Sequence, residues 1–572
     1  MNTELIGVIA TFLITILLAI PLGKYIAKVF SGEKTLLDFF NPAERFIYRI
    51  CGIDPNKPMN WKEFLKAMLT INMLWFVYGF FMLTFQDKLP LNPDGNPGQT
   101  PDLAFNTIIS FVTNTNLQHY SGESGATYLI QIFVFCFLQF VSAATGIACL
   151  IALFNGIKEK TTNSLGNFWS IFIKSITRLL LPLATVVAII LAFNGTPTSL
   201  KGKDTIITLQ GDTQQISRGP AAAMIAIKQL GTNGGGYFGA NAAVPFENPN
   251  YFTNMVEAIS IAIISMALVF ALGYYIKKEK LSWVIFGVMS FFFIIFCINN
   301  IYFETKGNPE INRLGIAQNI GAMEGKEVRI GSAATAYWSV ATTSTSNGSV
   351  NGMHDSLMPL SGGVVLLDMM INALYGGVGV GLLNYYIFII IAVFISGLMV
   401  GRTPEFMGHK VEAKEVKIAA IITLLSAFLI KAGTAFAAYL VVHHGNANWA
   451  TKPTAWLNNP GYHGFSEMLY EYTSATANNG SGFEGLGDNN IWWNVSCGIV
   501  MLLARFLPII GPIAIAGTLA NKKYIPETSG TLRTDSVTFG IMTMAVIVIV
   551  TALSYFPPLA LGPIAEYFSM KH

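Results

Sequence analysis

Long apolar segments alternate with short polar connections along the whole chain. A membrane-crossing helix needs about 20 apolar residues to cross about 30 Å of hydrocarbon. By that criterion the sequence predicts ten crossings, at about residues 4–28, 63–85, 127–154, 169–194, 253–276, 281–303, 361–400, 417–442, 491–520 and 536–559. We therefore predict an all-α polytopic membrane protein in which residues 1–572 form a single transmembrane domain.

Positive charge predicts the orientation. Lys and Arg are concentrated in every second connection, as in residues 29–62 and 401–416, and are sparser in the others. Cytoplasmic loops carry an excess of Lys and Arg, so both termini are expected to lie outside. The first apolar segment has its positive residues, Lys24 and Lys28, after it. It is expected to be an uncleaved span and not a signal peptide.

Two predicted crossings contain residues that interrupt a helix. As one helix, residues 361–400 would be about 60 Å long, which is twice the hydrocarbon thickness. The glycine-rich run from Tyr375 to Gly381 fits a single crossing with a break. A glycine face for close helix packing is the alternative. A similar break is expected in residues 491–520, where Arg505 precedes Pro508 and Pro512.

Four of the outer connections contain a short apolar segment followed by a cluster of Thr, Ser, Asn and Gly. The clusters align as Asn114-Thr115-Asn116, Thr232-Asn233-Gly234, Ser346-Asn347-Gly348 and Asn478-Asn479-Gly480. One such cluster would be an ordinary turn, but four copies between paired crossings indicate an internal repeat. We predict repeats at about 63–154, 169–276, 281–400 and 417–520 around a pseudo-fourfold pore, with extra helices at 4–28 and 536–559.

The repeat unit favours a cation on the pore axis. A helix of about 10–13 residues is about 15–20 Å long and would end near mid-membrane, with about half a negative charge at its carboxyl end. Irregular backbone at that depth lines a cavity, and rings of backbone carbonyls replace the hydration shell of potassium in channel filters. Gly234, Gly348, Gly480 and Asn116 tolerate the left-handed backbone that such a segment needs.

Composition excludes several classes of protein. The chain is 52% hydrophobic and 12% charged, against about 25% charged in soluble proteins. Its net charge of +3 comes without a basic block, so no nucleic-acid partner is expected. The five cysteines lie far apart, which indicates neither a disulfide framework nor a zinc site. No GxxxxGK[ST] or DKTG motif occurs, so we do not expect the chain to hydrolyse ATP.

A few ionisable residues within or beside the apolar segments are functional candidates. Lys431, Glu257 and Asp368 lie within apolar runs, where charged side chains usually mark function. Pairing between helices, or contact with a partner subunit, is the alternative. His354 and Asp355 follow the third cluster without a second catalytic group. We expect them to be a helix-capping pair, which argues against an intramembrane enzyme.

The clusters, together with the runs GTNGGGYFGAN, GMHDS, GGVGVGL, GRTPE and NNGSGFEGL, resemble the KdpA family over essentially the whole chain. These are the potassium-binding subunits of bacterial Kdp potassium pumps, within a superfamily of four-pore-loop potassium transporters. The resemblance implies that potassium binds in a selectivity filter, with no other cofactor on this chain. The implied partners are a P-type ATPase subunit that uses ATP and Mg²⁺, a single-span subunit and a small membrane peptide. The implied location is the bacterial inner membrane, in contact with lipid.

The resemblance also implies roles for individual residues. The filter would consist of the four aligned triplets. These are Asn114-Thr115-Asn116, Thr232-Asn233-Gly234, Ser346-Asn347-Gly348 and Asn478-Asn479-Gly480. Gln118 matches a position associated with potassium affinity. The break at Gly376, Gly377, Gly379 and Gly381 matches an interrupted helix that blocks the pore below the filter, and Arg505 resembles an intramembrane arginine near the pore. The third cluster lacks the cysteine that some members carry there.

Two functions remain open from the repeats alone. One is the potassium-binding subunit of an ATP-driven pump, and the other is a self-sufficient potassium symporter or channel with the same repeats. The longer family runs favour the first.

Overall fold

Ten long apolar helices form most of the molecule. The computed structural model describes residues 3–445, 452–526 and 533–570. Within these residues, ten helices are long and apolar enough to cross a membrane, and we number them spans 1–10. They are Thr3–Ser31, Trp61–Thr84, Tyr128–Lys158, Phe168–Phe193, Tyr251–Ile276, Glu279–Lys306, Val380–Val400, Ala413–His444, Ile491–Ala520 and Val537–Leu559. The predicted all-α, multi-pass membrane fold is confirmed.

The predicted crossing at residues 361–400 is interrupted before span 7, as the glycine run predicts. A helix over Pro359–Ile371 precedes the main helix Val380–Val400, and we call the intervening residues 372–379 the span-7 loop. Asn372 ends the first helix in a left-handed conformation with φ +46°, and Gly376 and Gly379 also have positive φ. A Cβ added at Gly376 would lie 2.1 Å from the Cα of Gly381, so the middle of the loop touches the first turn of the main helix through glycine.

The predicted break in span 9 is wrong. Ile491–Ala520 is one continuous helix that contains both Pro508 and Pro512, and Arg505 lies within it. Each proline removes one backbone N–H from the helix ladder. In membrane helices the freed carbonyls are satisfied by neighbouring helices and local adjustments. Both prolines are buried against other helices, and that packing supports the uninterrupted helix.

Burial separates central spans from peripheral ones. In their most apolar windows, spans 3 and 5 are 83% and 78% buried, whereas spans 1, 2 and 8 are 22–28% buried. The exposed apolar faces of the peripheral spans fit contact with lipid. Span 1 packs closely on span 5, because a Cβ added at Gly23 would lie 2.6 Å from the carbonyl oxygen of Ala267. Small residues at such crossings let membrane helices approach.

Shorter elements complete the described chain. Four short apolar helices, Pro101–Val112, Ala221–Leu230, Ser332–Ser344 and Tyr462–Ala477, precede the polar clusters, and we call them pore helices I–IV. Strand Asp204–Ile207 pairs antiparallel with Thr213–Ile216, and Glu405–Phe406 pairs with His409–Lys410. A ten-residue helix lies at Asn41–Ile50. Shorter helical turns lie at Leu36–Phe40, Gln86–Lys88, Gly122–Gly125, Asn241–Ala243, Pro309–Arg313, His354–Ser356, Pro453–Ala455 and Ala560–Ile564, the last leading into Ala565–Ser569. Spans 3 and 4 contain π-helical turns at Gln131–Cys136 and Ile176–Leu180.

Candidate ion-binding site

The four aligned triplets, which we call filter segments I–IV, share one backbone conformation. Their first residues have φ of +62° at Asn114, +49° at Thr232, +50° at Ser346 and +51° at Asn478. Their third residues have φ of +54° at Asn116, +84° at Gly234, +81° at Gly348 and +101° at Gly480. Positive φ is uncommon outside glycine and is enriched at Asn. The same alternation in four segments makes the triplets structurally equivalent.

One hydrogen bond recurs at the second position of each segment. The N–H groups of Thr115, Asn233, Asn347 and Asn479 each donate to the carbonyl five residues earlier, at N···O distances of 2.8, 2.8, 2.9 and 2.9 Å. These acceptors are the orphan carbonyls of the last turn of each pore helix, which bonds of this kind commonly satisfy. The pore helix therefore fixes the conformation of its own filter segment.

The segments form a closed ring with backbone in contact with backbone. A Cβ added at Gly234 would lie 1.6 Å from the carbonyl oxygen of Asn347. The equivalent distances are 2.2 Å from Gly348 to Asn479 and 2.0 Å from Gly480 to Thr115. The order around the ring is thus I, II, III, IV, and three of its four junctions require a glycine at the third position.

Asparagine side chains link the segments around the ring. Asn114 Nδ2 donates to the Thr232 carbonyl at 2.9 Å, which joins segments I and II. Asn347 Nδ2 donates to carbonyls at the end of pore helix II, and Asn479 Nδ2 donates to the carbonyl of Thr342 in pore helix III. Asn478 Nδ2 donates to Thr115 Oγ1 at 3.0 Å and closes the ring. These bonds hold the ring at a defined width.

Several buried oxygens in the ring have no hydrogen-bond partner. Among the bonds of the described residues, none is accepted by the second-position carbonyls of Thr115, Asn233, Asn347 and Asn479. The side-chain amide of Asn116 is buried and also lacks a partner. Buried backbone carbonyls are usually paired. Unpaired carbonyls on four converging helix ends form an environment suited to a cation.

Gln118 connects filter segment I to the chain after segment II. Its Oε1 accepts from the N–H of Gly236 at 2.9 Å, and its Nε2 donates to the Gly236 carbonyl at 3.3 Å and to the Tyr120 hydroxyl. Gln118 therefore lies beside the ring and contacts two repeats.

The span-7 loop lies against the first residues of the filter segments. The Val378 N–H donates to Thr232 Oγ1, and the Gly376 N–H donates to the Ser344 carbonyl at the end of pore helix III. A Cβ added at Gly377 would lie 3.7 Å from Arg505 Nη1 and 3.8 Å from Thr232 Oγ1. The loop and the buried Arg505 thus lie together at one mouth of the ring.

Arg505 has no acidic partner in the described part of the chain. Within the described residues, no carboxylate lies within 4 Å of its guanidinium, although the residue is only 4% exposed. A buried and unpaired cation costs free energy. At this mouth of the ring its charge opposes a cation that approaches along the same line.

Of the three charged residues that lie within apolar runs, Asp368 and Glu257 contact pore helices. Asp368 Oδ2 accepts from the hydroxyls of Thr343 and Ser344 at 2.7 and 2.6 Å, at the end of pore helix III. Glu257 Oε2 accepts from Gln229 of pore helix II at 2.8 Å. Lys431 instead lies on the exposed face of span 8.

The prediction that His354 and Asp355 form a capping pair is wrong. His354 Nδ1 lies 2.7 Å from the Tyr470 hydroxyl, and Asp355 Oδ1 lies 2.9 Å from His463 Nε2. Both contacts reach pore helix IV, more than 100 residues away. Spacing along the chain gives no signal for such partners.

Sequence reasoning missed the residues that support the ring from behind. Asn241 Nδ2 donates to the carbonyl of Gly234 at 2.9 Å, and Asn241 Oδ1 accepts from Lys228 Nζ and Ser349 Oγ. Lys228 is fully buried and is paired with Glu247. The available signal was Lys228 itself, since a lysine inside a short apolar helix must find a buried partner.

A cavity lies beside the ring and the span-7 loop. It measures about 50 Å³, enough for a few water molecules where about 10–15 Å³ holds one. Asn372, which accepts from Ser346 Oγ at 2.9 Å, lines it. The other polar lining residues are Asn384, Thr423, Ser426, Thr476, Thr551 and Ser554. The cavity therefore continues sideways from segment III toward spans 8 and 10.

Comparisons of the sequence with known proteins identify one family. The family described as KdpA, potassium-transporting ATPase A subunit, matches residues 9–568. The potassium-transporting ATPase potassium-binding subunit of Flavobacterium psychrophilum is 63% identical over 100% of both chains, and that of Alicyclobacillus acidocaldarius is 47% identical over 99% of both. The potassium transporter TrkH of Vibrio parahaemolyticus has a similar fold, with a TM-score of 0.50 and 14% identity over 89% of this chain and 98% of the other. With a family match across nearly its full length and such relatives, the chain belongs to the KdpA family of potassium-transporting ATPase A subunits.

Proposed function

We propose that this chain binds potassium in the ring of filter segments and passes it to a P-type ATPase partner. The observation that carries the proposal is the closed ring of four equivalent segments with unpaired second-position carbonyls. The carboxyl ends of four pore helices converge there and favour positive charge. Gln118, which contacts segments I and II together, would adjust the affinity of the ring.

The proposed path turns sideways below the ring. The span-7 loop occupies one mouth of the ring, and Arg505 adds a positive charge there. Both oppose straight passage of a cation, so the loop and its glycines would act as the block. The polar cavity that starts at Asn372 offers an alternative route. We assign it as the path by which the ion leaves the ring.

Energy input is assigned to another subunit. Relatives of this chain are named as potassium-binding subunits of a potassium-transporting ATPase, and ATP with Mg²⁺ would be used by the catalytic subunit. Lys431 supports an additional chain, because it lies exposed near the middle of span 8. A charge in hydrocarbon is costly without an acidic partner. A single-span subunit and a small membrane peptide are the further proposed partners.

The proposed setting is the bacterial inner membrane with both termini outside. This orientation puts the beginnings of the pore helices on the outer side, so the ring would take potassium from outside the cell. It also puts the Lys-rich and Arg-rich connections in the cytoplasm, as the charge rule requires.

Reconstitution tests the proposal. Potassium uptake is measured in proteoliposomes containing the purified chain alone, or the chain coexpressed with a P-type ATPase subunit. We expect uphill uptake with ATP only when the ATPase subunit is present, and no potassium-stimulated ATP hydrolysis by this chain alone. Uphill uptake by the chain alone, driven by a proton or sodium gradient, would instead establish the symporter.

A further inference from the structure

His463 of pore helix IV lies among carboxylates from its own helix and from two other parts of the chain. His463 Nδ1 lies 2.8 Å from Glu566 Oε1, and His463 Nε2 lies 2.9 Å from Asp355 Oδ1. Glu467 lies one helical turn after His463. Its carboxylate, His463 and Asp355 each present a ligand atom within 4.8 Å of the other two. None of these residues belongs to the ring of filter segments.

The glutamate in this group has a free and buried oxygen. Glu467 is 0% exposed. Its Oε1 accepts from the N–H and Nδ2 of Asn459 at 3.2 and 3.3 Å. Its Oε2 is buried and has no hydrogen-bond partner among the residues that the structure describes. A buried carboxylate oxygen without a donor costs free energy unless it is protonated or binds a cation, so this atom is available as a ligand.

The negative charge around Glu467 also favours a bound cation. Within the described residues, no Lys or Arg forms an ion pair with Asp355, Glu467 or Glu566, and His463 is the one basic contact. The chain also brings two carboxylates together at Gly485. A Cβ added there would lie 2.6 Å from Glu467 Oε1 and 2.7 Å from Asp355 Oδ2. The group therefore carries excess negative charge at close range.

The second contacts of His463 and Glu467 match the pattern of metal sites. Metal-ligating histidines usually donate the other ring N–H to a carboxylate, which fixes the ring orientation. Glu566 accepts from His463 Nδ1 in this way, so Nε2 is directed at Asp355. Asn459 holds the Glu467 carboxylate similarly. Imidazole with two carboxylate oxygens and a water suits zinc or a similar divalent transition metal.

A cavity gives access to the group. It measures about 460 Å³ and is lined by Asp355, Asn459, His463 and Glu566 among others. The side chains of Asp355 and His463 are 14% and 18% exposed. An ion could therefore reach the three ligand atoms from the side of the molecule on which pore helix IV begins.

We propose that Asp355, His463 and Glu467 form a binding site for a divalent transition metal of the zinc type, with Glu566 as the residue that orients His463. Donors at about 2.0–2.2 Å from zinc lie about 3.5 Å apart, so binding separates His463 Nε2 and Asp355 Oδ1, which are 2.9 Å apart, by roughly 0.6 Å and holds the Glu467 carboxylate at a similar spacing. The metal replaces the Nε2 proton, which leaves to solvent. The site ties the chain after filter segment III to the start of pore helix IV and to the C-terminal helix Ala565–Ser569. It does not depend on potassium binding.

Equilibrium dialysis of the purified full-length chain against ZnCl₂, followed by elemental analysis, tests this site. A parent chain carrying His443→Ala and His444→Ala removes two exposed histidines at the end of span 8 that could bind zinc adventitiously. We expect one Zn²⁺ per parent chain. That ion should be lost in His463→Ala and in the isosteric Glu467→Gln. In Glu566→Gln the zinc affinity should be about 10–100-fold weaker. Cys497→Ser, which alters a separate buried His119–Glu471–Cys497 group, should retain the ion.

Replacement of zinc by Co²⁺ provides an independent readout. A site of imidazole and carboxylates should give ligand-field absorption without a thiolate charge-transfer band. The proposal is overturned if the parent chain binds no stoichiometric zinc, if Glu467→Gln binds zinc as the parent does, or if the cobalt spectrum shows thiolate ligation. The parent measurement is decisive even if a variant fails to fold.

Discussion

Replacing Gly234 with alanine should weaken potassium binding sharply. Gly234 has φ +84°, and its added Cβ would lie 1.6 Å from the Asn347 carbonyl oxygen. The opposing atom belongs to the backbone of filter segment III, so it cannot move away by a change of rotamer. An ordinary contact of 3.4 Å would require segments II and III to separate by roughly 1.8 Å. The carbonyls of the ring would move with them.

The backbone conformation alone sets a lower limit on the loss of potassium affinity in Gly234→Ala. A left-handed conformation costs an L-residue about 1–2 kcal/mol, which is a factor of about 5–30 in an equilibrium constant. Since ion binding in our proposal requires the native ring, we expect potassium affinity to fall by at least that factor. Displacement of the Asn347 carbonyl adds to this loss.

Calorimetric titration of the purified chain with KCl at constant ionic strength measures the affinity. Gly287→Ala is the matched control, because its Cβ would meet no atom within 4 Å and its φ is not positive. That variant should bind potassium as the parent does. A folded Gly234→Ala chain with an unchanged melting temperature and potassium affinity within twofold of the parent would refute the proposed role of the ring.

Three further predictions follow from other parts of the structure. Gly377→Ala should leave the melting temperature unchanged, since its methyl group would lie 3.7 Å from Arg505 Nη1 with no close contact, but should alter potassium flux in proteoliposomes of the complete pump; unchanged flux would exclude a role for Gly377 at this mouth of the ring. In a cysteine-free chain, Leu209→Cys in the exposed hairpin between strands Asp204–Ile207 and Thr213–Ile216 should react with an impermeant thiol reagent applied to intact cells. Asn163→Cys should not react, and the reverse labelling would overturn the topology. Burial lowers the pKa of His119, but the Asp488 charge and the Glu471 hydrogen bond outweigh it and raise the pKa to about 9. Protonated His119 therefore stabilises the folded chain fully below pH about 6.5, and this stabilisation is lost as pH rises through about 9. The melting temperature should fall over that interval, and it should fall less in His119→Asn.

Sequence rules predicted correctly the elements that interactions between near neighbours in the chain determine. The ten spans follow from apolar length, and the break before span 7 follows from glycines that can take positive φ. The alignment of the filter segments succeeded for the same reason, because left-handed backbone selects Gly and Asn. The break predicted at Pro508 failed because proline weakens a helix locally while packing of the surrounding helices sustains it.

Contacts between distant parts of the chain could not be predicted in this way. The support of the Gly234 carbonyl by Asn241, and the approach of His463 to Asp355 and Glu566, depend on how the repeats pack. No spacing rule links residues that lie tens to hundreds of positions apart. The sequence could indicate that Lys228 needs a buried partner, but it could not indicate that the partner is Glu247.

The ring also departs from fourfold symmetry at one junction. Segment I has Asn116 where the other three have glycine, and the missing glycine is found one residue later in the facing chain, at Gly235, whose added Cβ would lie 2.4 Å from the Asn116 Cβ. A channel assembled from four identical subunits must repeat every substitution four times. A single chain with four diverged repeats can change one quarter of its ring, so its ion site can acquire a preferred direction of exit by mutation of a single codon.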